Sequence, residues 1–310
     1  MNTSETKLDL YTRVTNKILA DLEQGELTWL KPWQGGQVGS RISRPLRSTG
    51  EPYQGINVLL LWTAALEQGF AASTWMTFKQ AHDLGGHVKK GEKGSMVVYA
   101  NTLTKTETNS ETGEEEAHSI PFMKSYTVFN VEQINGLPEQ YTALPAQSLV
   151  NVPDRDAALD LFFQNTGVRI REGGDIAAYS ETLDLIRMPP MQAFKDSENF
   201  YATLAHEAVH STKHPTRLNR DCGRVKFGDE GYAKEELVAE LGAAFLCADL
   251  GITPETREDH AAYIASWLTA LKNDKRFIFS AAAHAQRAVD FLNACQVKEQ
   301  SLTDSEERAA

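Results

Sequence analysis

The residues best suited to chemistry are His206 and His210, which flank Glu207 in the pattern HExxH. Histidines four positions apart on a helix differ by only about 40° around its axis, so both imidazoles can bind one metal ion. Glu207 would then lie beside the metal, where its carboxylate can take a proton from a water that attacks a polarised carbonyl. The pattern predicts a metallopeptidase site with Glu207 as catalytic base. Zn²⁺ is the expected ion, and another divalent transition metal could replace it.

A catalytic zinc ion needs a third protein ligand, and a second predicted helix supplies candidates. Glu236 and Glu240 are four positions apart on that helix and share a face. We expect Glu236 to bind the metal and Glu240 to hydrogen-bond the far nitrogen of a ligand histidine, which fixes its tautomer. Glu235 points about 100° away and is expected to be solvated. His214 is a rival third ligand, although the proline that follows it favours a loop histidine.

Hydrolysis at such a site also needs a donor for the developing oxyanion. Tyr232 is the candidate closest in sequence to the ligand helix. His260, Arg276 and His284 are also available, and the sequence does not choose among the four. A lone tyrosine is more often a packing residue than a catalytic one, so Tyr232 is a candidate only.

The charge of the chain is unevenly distributed. The formal net charge of the 310 residues is −11, which argues against a protein that binds nucleic acid over its whole surface. Residues 1–100 carry 11 Lys and Arg against 9 Asp and Glu, whereas residues 151–310 carry 18 against 26. Contact with nucleic acid is therefore expected in the first part of the chain.

The composition also bears on location. No run reaches the roughly 18 apolar residues that a membrane span requires, and the first ten residues lack the features of a secretory signal. The three cysteines are widely spaced, without a CxxC pair, and are expected to be free thiols. We therefore expect a soluble, cytoplasmic protein with no membrane partner.

Hydrophobic periodicity predicts a small α+β domain over residues 1–140, followed by a proline-containing linker over 141–153. The expected elements are helices at Tyr11–Leu22, Ile56–Gln68 and Phe78–Leu84 and strands at Ser95–Leu103 and Tyr126–Val131. Between these strands, the glutamate-rich stretch Thr104–Ser119 is expected to form an exposed hairpin tip.

A second domain is predicted over 154–296, before a disordered tail over 297–310. Short strands are expected at Val168–Arg171, Ile176–Tyr179 and Thr182–Arg187. The expected helices are Ala157–Thr166, Ser197–Thr212, Lys234–Leu250, Arg257–Asn273 and Phe277–Leu292.

Aromatic and basic residues alternate in the first hundred positions, as in proteins that stack single-stranded bases beside a cationic track. The candidate DNA contacts are Trp29, Lys31, Trp33, Arg41, Arg44, Tyr53, Asn57, Trp75, Lys79, Lys89, Lys90 and Lys93. The opposing interpretation is that the tryptophans are core anchors, and a net charge of +2 is weak for a phosphate-binding surface.

Nearly the whole chain resembles the ArdC antirestriction proteins of conjugative plasmids, whose N-terminal domain is shared with plasmid primases of the TraC type. The motifs that carry the resemblance are Tyr11–Leu19, Trp29–Trp33, Tyr53–Asn57, Trp75–Lys79, Gly91–Gly94, Tyr126–Val131, His206–His210, Glu235–Glu240 and Tyr263–Trp267.

The resemblance implies an N-terminal domain that binds single-stranded DNA and a C-terminal zincin-like metallopeptidase domain of the gluzincin type, in which a glutamate on a following helix is the third ligand. It also implies that the protein helps incoming conjugative DNA to escape host restriction. Two alternatives stay open. One is a protease that acts on a host protein, with the first domain used only for docking. The other is a structural or regulatory metal domain without proteolysis.

Overall fold

The computed structural model describes residues 9–27, 29–30, 43–108, 115–141, 156–221, 230–253 and 260–296. The chain divides into two compact units. The first unit contains Met1–Leu10 and Pro45–Pro145, and the second contains Tyr11–Arg44 and Ala146–Ala310. The predicted boundary near residue 150 lies close to one of these divisions, but the second unit also includes a segment from the start of the chain. Most of the predicted linker and the predicted tail lie outside the described residues.

Helix α1 (Leu10–Glu23) belongs from Tyr11 onwards to the second unit, and the helices and strands of the first unit follow it. The helices of the first unit are α2 (Ile56–Gln68) and α3 (Phe78–Asp83), and its strands are β1 (Leu46–Arg47), β2 (Thr74–Met76), β3 (His87–Val88), β4 (Ser95–Thr108), β5 (Glu115–Asn130) and β6 (Ile134–Asn135). One sheet has the order β1-β2-β5-β4, and β3 pairs with β6 in a second.

The strands β4 and β5 form a hairpin that is longer than predicted. They pair antiparallel from Ser95 opposite Val128 to Thr108 opposite Glu115. Much of the stretch predicted as an exposed tip is therefore paired strand, because a polar and glutamate-rich composition does not by itself prevent backbone hydrogen bonds between antiparallel strands. Residues 109–114, between the two strands, lie outside the described part of the chain.

The second unit joins a small sheet to a group of helices. Its elements after residue 156 are α4 (Ala157–Asn165), β7 (Arg169–Glu172), β8 (Ala178–Ser180), β9 (Leu185–Met188), α5 (Ser197–Ser211), α6 (Glu230–Leu250), α7 (His260–Asn273) and α8 (Phe277–Ala294). The sheet order is β7-β9-β8, with β8 antiparallel at one edge. Among the helices that the structure describes, none has both the length and the apolar character needed to cross a membrane.

The segment from the start of the chain is fixed to α7 and to the connection between α7 and α8 by specific contacts. The Thr15 hydroxyl donates a hydrogen bond to the Lys275 carbonyl at 2.7 Å. The buried indole of Trp29 meets that of Trp267 edge to face, with 5.6 Å between ring centroids. Such aromatic contacts add to the free energy gained from burial. The segment is therefore part of the core of the second unit.

Helices α5 and α6 approach closely because a glycine lies at their contact. The Asp196 side chain accepts a hydrogen bond from the Asn199 amide at 2.9 Å and so caps the start of α5. Further along, Gly242 of α6 faces Val209 of α5, and a Cβ at position 242 would come within 2.8 Å of a Val209 methyl carbon. Because α5 carries both candidate histidine ligands and α6 carries Glu236, this contact sets the distance between ligands.

We predict that Gly242→Ala lowers the free energy of unfolding by about 1–3 kcal/mol, since the added methyl group overfills a packed interface. Chemical denaturation followed by circular dichroism measures the change. The matched control is Gly242→Ala combined with Val209→Ala, which removes the colliding methyl groups. If the loss of stability in the double variant equals the sum of the losses in Gly242→Ala and Val209→Ala, the contact does not limit the helix separation.

Candidate metal centre

Three buried side chains converge where α5 meets α6. The Nε2 atoms of His206 and His210 lie 3.1 Å apart. Glu236 Oε1 lies 3.6 Å from His210 Nε2, and Glu236 Oε2 lies 3.7 Å from His206 Nε2. Among the residues that the structure describes, these three form the group of His, Cys, Asp and Glu side chains whose ligand atoms are close enough to share an ion.

The spacing of these atoms fits a small tetrahedral ion. With metal–ligand bonds of about 2.0–2.1 Å, the ligand atoms of a tetrahedral site lie about 3.3 Å apart. The observed separations of 3.1, 3.6 and 3.7 Å bracket that value. Three ligands leave a fourth position open, as hydrolytic sites require.

The far nitrogens of both histidines are bound by carboxylates. His206 Nδ1 lies 3.3 Å from Glu240 Oε1, and His210 Nδ1 lies 3.1 Å from Glu235 Oε1. If each Nδ1–H donates to its carboxylate, each Nε2 presents a lone pair to the centre of the site. Two lone pairs and the Glu236 carboxylate would then face one another, an arrangement that a cation stabilises. The donor set therefore fits a divalent metal ion.

The prediction that Glu235 is solvated is wrong. Its side chain is only 2% exposed and accepts hydrogen bonds from Arg220 Nη2 at 2.7 Å and Arg220 Nε at 2.9 Å. Burial alone would raise the pKa of Glu235, but the hydrogen bonds from His210 and Arg220 outweigh it and hold the pKa far below its ordinary value. Glu235 is thus a buried carboxylate that holds His210. Its position about 100° from Glu236 around the helix axis did not suggest this role.

Arg220 also ties this network to the end of α5. Its Nη1 donates to the Thr212 hydroxyl at 2.8 Å, and its Nη2 donates to the Val209 carbonyl at 3.2 Å. Carbonyl groups in the last turn of a helix need such donors. One guanidinium therefore fixes both the end of α5 and the carboxylate that binds His210.

Glu207 is held by the edge strand β8. Its carboxylate oxygen Oε2 accepts a hydrogen bond from the Tyr179 backbone N–H at 2.7 Å. The Tyr179 hydroxyl donates to Asp184 at 2.9 Å, and Arg217 donates two hydrogen bonds of 2.8 Å to the Asp184 carboxylate. Burial and the bond to Asp184 raise the pKa of Tyr179 to about 12, so its hydroxyl stays protonated. The position of Glu207 therefore depends on the sheet as well as on α5.

Tyr232, one of the oxyanion candidates, interacts with the candidate ligand Glu236. Its hydroxyl lies 3.2 Å from that of Tyr263. Burial, the Tyr263 hydroxyl and the charge of Glu236 together raise the pKa of Tyr232, which keeps it a hydrogen-bond donor.

The other candidates have different neighbours. Arg276 lies over the Tyr11 ring, with 5.1 Å between the guanidinium carbon and the ring centroid. Burial and the positive charge of Arg287 lower the pKa of His284 to about 4. The rival ligand His214 pairs with the Thr216 hydroxyl at 2.8 Å. The side chain of His260 lies outside the described residues.

Several predicted DNA contacts are buried in the structure. Trp29 is 0% exposed and Trp75 is 1% exposed, and Tyr53 and Arg44 are buried as well. Arg44 binds Asp249 at 3.0 Å and the Gln286 side-chain oxygen at 2.8 Å within the second unit. Burial contradicts the prediction that these four side chains offer surface to bases or phosphates; they are packing residues.

The remaining predicted contacts fall into three groups. The Asn57 side chain is occupied, because it both donates to the Val98 carbonyl and accepts from the Val98 N–H at 2.8 Å. The lysines are exposed: Lys79, Lys89, Lys90 and Lys93. Three residues lie outside the described part of the chain: Lys31, Trp33 and Arg41.

Family models match both halves of the chain. Residues 157–284 match a zincin-like metallopeptidase, and residues 8–129 match the N-terminal domain of the anti-restriction factor ArdC. The fold is thus an α+β arrangement of an ArdC-type N-terminal domain and a zincin-like domain. The ArdC-type match includes α1 and Trp29, which belong to the second compact unit.

Relatives extend the similarity to nearly the full chain. The metal-free crystal structure of the antirestriction protein ArdC from plasmid R388 is 46% identical, with a TM-score of 0.79, and the match covers 93% of this chain and 98% of that one. Its Mn(II)-bound structure is 44% identical, with a TM-score of 0.77 and coverage of 94% and 100%. The protein y4eC of Sinorhizobium fredii is 38% identical over 95% of this chain and 94% of its own length.

The chain belongs to the ArdC family of antirestriction proteins. This chain is also 38% identical, over 96% of its residues, to the DNA primase TraC of Escherichia coli, but the match spans only 28% of that primase.

We predict that Glu235→Gln weakens binding of Mn²⁺ or Zn²⁺ about 10- to 100-fold, because a neutral amide no longer holds His210 or balances Arg220. Isothermal titration calorimetry of the metal-free protein measures the affinity. Glu181→Gln is the matched control, since it removes a surface carboxylate that pairs with Lys213 at 3.6 Å. Equal affinities in the two variants would contradict the role of Glu235.

Proposed function

We propose that this protein protects incoming plasmid DNA from host restriction by binding single-stranded DNA with its first unit and by metal-dependent hydrolysis in its second. The proposed metal ligands are His206, His210 and Glu236, with Glu240 and Glu235 holding the two imidazoles. Zn²⁺ is the proposed ion. Mn²⁺ is the alternative, since the R388 relative has a Mn(II)-bound structure.

The observation that carries the hydrolytic half is the position of Glu207. Its buried carboxylate lies on the same helix as the two candidate histidine ligands and is oriented by the Tyr179 N–H. A divalent ion held by the three ligands would supply Lewis-acid chemistry towards a carbonyl group and a water. Glu207 would accept the proton of the attacking water and pass it to the leaving amine. Tyr232, protonated and close to Glu236, would donate a hydrogen bond to the oxyanion.

The DNA-binding half is supported by the match to the ArdC N-terminal domain and by the similarity to TraC primases. The exposed Lys79, Lys90 and Lys93 supply cations for phosphate groups. Lys89 is exposed too, with its ammonium group donating to the Glu132 carbonyl at 2.7 Å. Single-stranded DNA is the proposed partner, because its unpaired bases can stack on aromatic side chains beside such cations.

We expect Glu207→Gln to abolish peptide hydrolysis, with a loss of at least about 100-fold, while Mn²⁺ affinity stays within a few-fold of the unchanged protein. Cleavage of a fluorescent casein substrate and calorimetric metal titration measure the two properties. Glu181→Gln serves again as the control. Full hydrolysis by the Glu207→Gln protein would rule out the proposed base.

Protection from restriction distinguishes the two halves of the proposal. Plasmid transfer into a restricting host is compared for the unchanged protein, Glu207→Gln and His206→Ala. Loss of protection in both variants would show that hydrolysis is required. Protection that persists in both would assign it to the DNA-binding unit and contradict the hydrolytic half.

A further inference from the structure

One face of the β4–β5 hairpin carries a cluster of aromatic rings that the predicted DNA contacts did not include. The register places Tyr99 opposite Lys124, Asn101 opposite Phe122 and Val97 opposite Tyr126. Directly paired residues lie on the same face of a sheet, and so do residues two apart along a strand. The outer part of this face is therefore formed by Tyr99, Asn101, Phe122, Lys124 and Tyr126, which we call the hairpin ring face.

The rings of this face are neighbours, and two of them are open to solvent. The Tyr99 ring centroid lies 6.2 Å from that of Phe122 and 6.3 Å from that of Tyr126. Tyr99 and Tyr126 are each 47% exposed, although aromatic side chains are normally covered in a folded protein. An exposed aromatic cluster of this kind marks a binding surface.

Polar groups orient and flank the rings. The Asn101 side-chain amide donates a hydrogen bond to the Tyr99 hydroxyl at 2.6 Å, which restrains that ring. The Lys124 ammonium lies 5.3 Å from the Phe122 ring centroid, within the range of a cation–π contact. A restrained ring loses little entropy on binding, and a cation beside it can meet a phosphate.

The charged residues of the hairpin are distributed unevenly along its length. The exposed Lys90 and Lys93 lie just before β4 begins, at the inner end of the hairpin. Glu107, Glu115 and Glu116 belong to the outer ends of the two strands. A polyanion would therefore be attracted at the inner end of the hairpin and by Lys124 beside the rings.

We propose that the hairpin ring face is the surface on which single-stranded DNA stacks its bases, with Lys124 contacting a phosphate. The proposal rests on the proposed DNA-binding function and names its site. Aromatic faces beside a cation accept bases of any sequence, and the bases of a duplex are already covered by their neighbours. The five side chains that define this face are aromatic or polar, which fits nucleobases better than an apolar protein surface.

The test uses the full-length protein and a fluorescein-labelled oligothymidine of about 20 nucleotides, with fluorescence anisotropy at low salt. We expect Tyr99→Ala and Tyr126→Ala each to weaken binding about 5- to 100-fold. Tyr99→Phe and Tyr126→Phe should restore most of the affinity, because the ring that stacks is kept. Lys124→Gln should reduce the slope of log affinity against log salt by about 0.7, as expected for one lost phosphate contact.

Controls separate this inference from the proposed function. Ser125→Ala alters an exposed side chain on the opposite face of the same hairpin and should leave the affinity unchanged. If the unchanged protein binds DNA and the tyrosine variants bind equally well, the ring face is not the site and the proposed function stands. If the unchanged protein does not bind at low salt, both fail. Tyrosine variants that lose self-association but keep DNA affinity would instead identify a contact between copies of the chain.

Discussion

The close packing of α5 against α6 is the constraint on which the candidate metal centre depends. α5 contributes His206, Glu207 and His210, and α6 contributes the Glu236 carboxylate that faces both imidazoles. Gly242 allows this approach because any larger residue would meet Val209. The separation of the two helices must be correct to within a few tenths of an ångström, because a small ion accepts only a narrow range of ligand distances.

A second layer of charge makes that arrangement stable. Glu235 and Glu240 hold the outer nitrogens of the imidazoles, and Arg220 compensates the buried charge of Glu235. A buried carboxylate without such a partner would be costly. The same guanidinium binds the last turn of α5, so ligand orientation and helix termination share one side chain. The outer charged groups thus fix the two imidazoles, and the imidazoles in turn fix the position that a metal ion would take.

The sequence predicted the centre of this arrangement better than its surroundings. His206, His210 and Glu236 follow from spacing on two helices, because helical periodicity is local and regular. Glu235 could not be placed in the same way, since its environment is decided by Arg220, which follows α5 after a loop. Composition identified Trp29 and Trp75 as aromatic but not as buried, because burial depends on distant neighbours such as Trp267. Tyr99 and Tyr126 were within predicted strands, but only the register of the hairpin brought them together.

The contact of the N-terminal segment with the far end of the chain has a consequence for biosynthesis. Thr15 and Trp29 leave the ribosome well before Lys275 and Trp267, with which they pack, because Lys275 follows Thr15 by 260 positions. Until then α1, whose buried side chains include Val14, Ile18 and Leu22, lacks these contacts. Contacts so distant in sequence slow folding, and exposed apolar helices are targets for chaperones and sites of aggregation. The second unit can therefore become complete only after Lys275 has been synthesised, whatever the first unit has already formed.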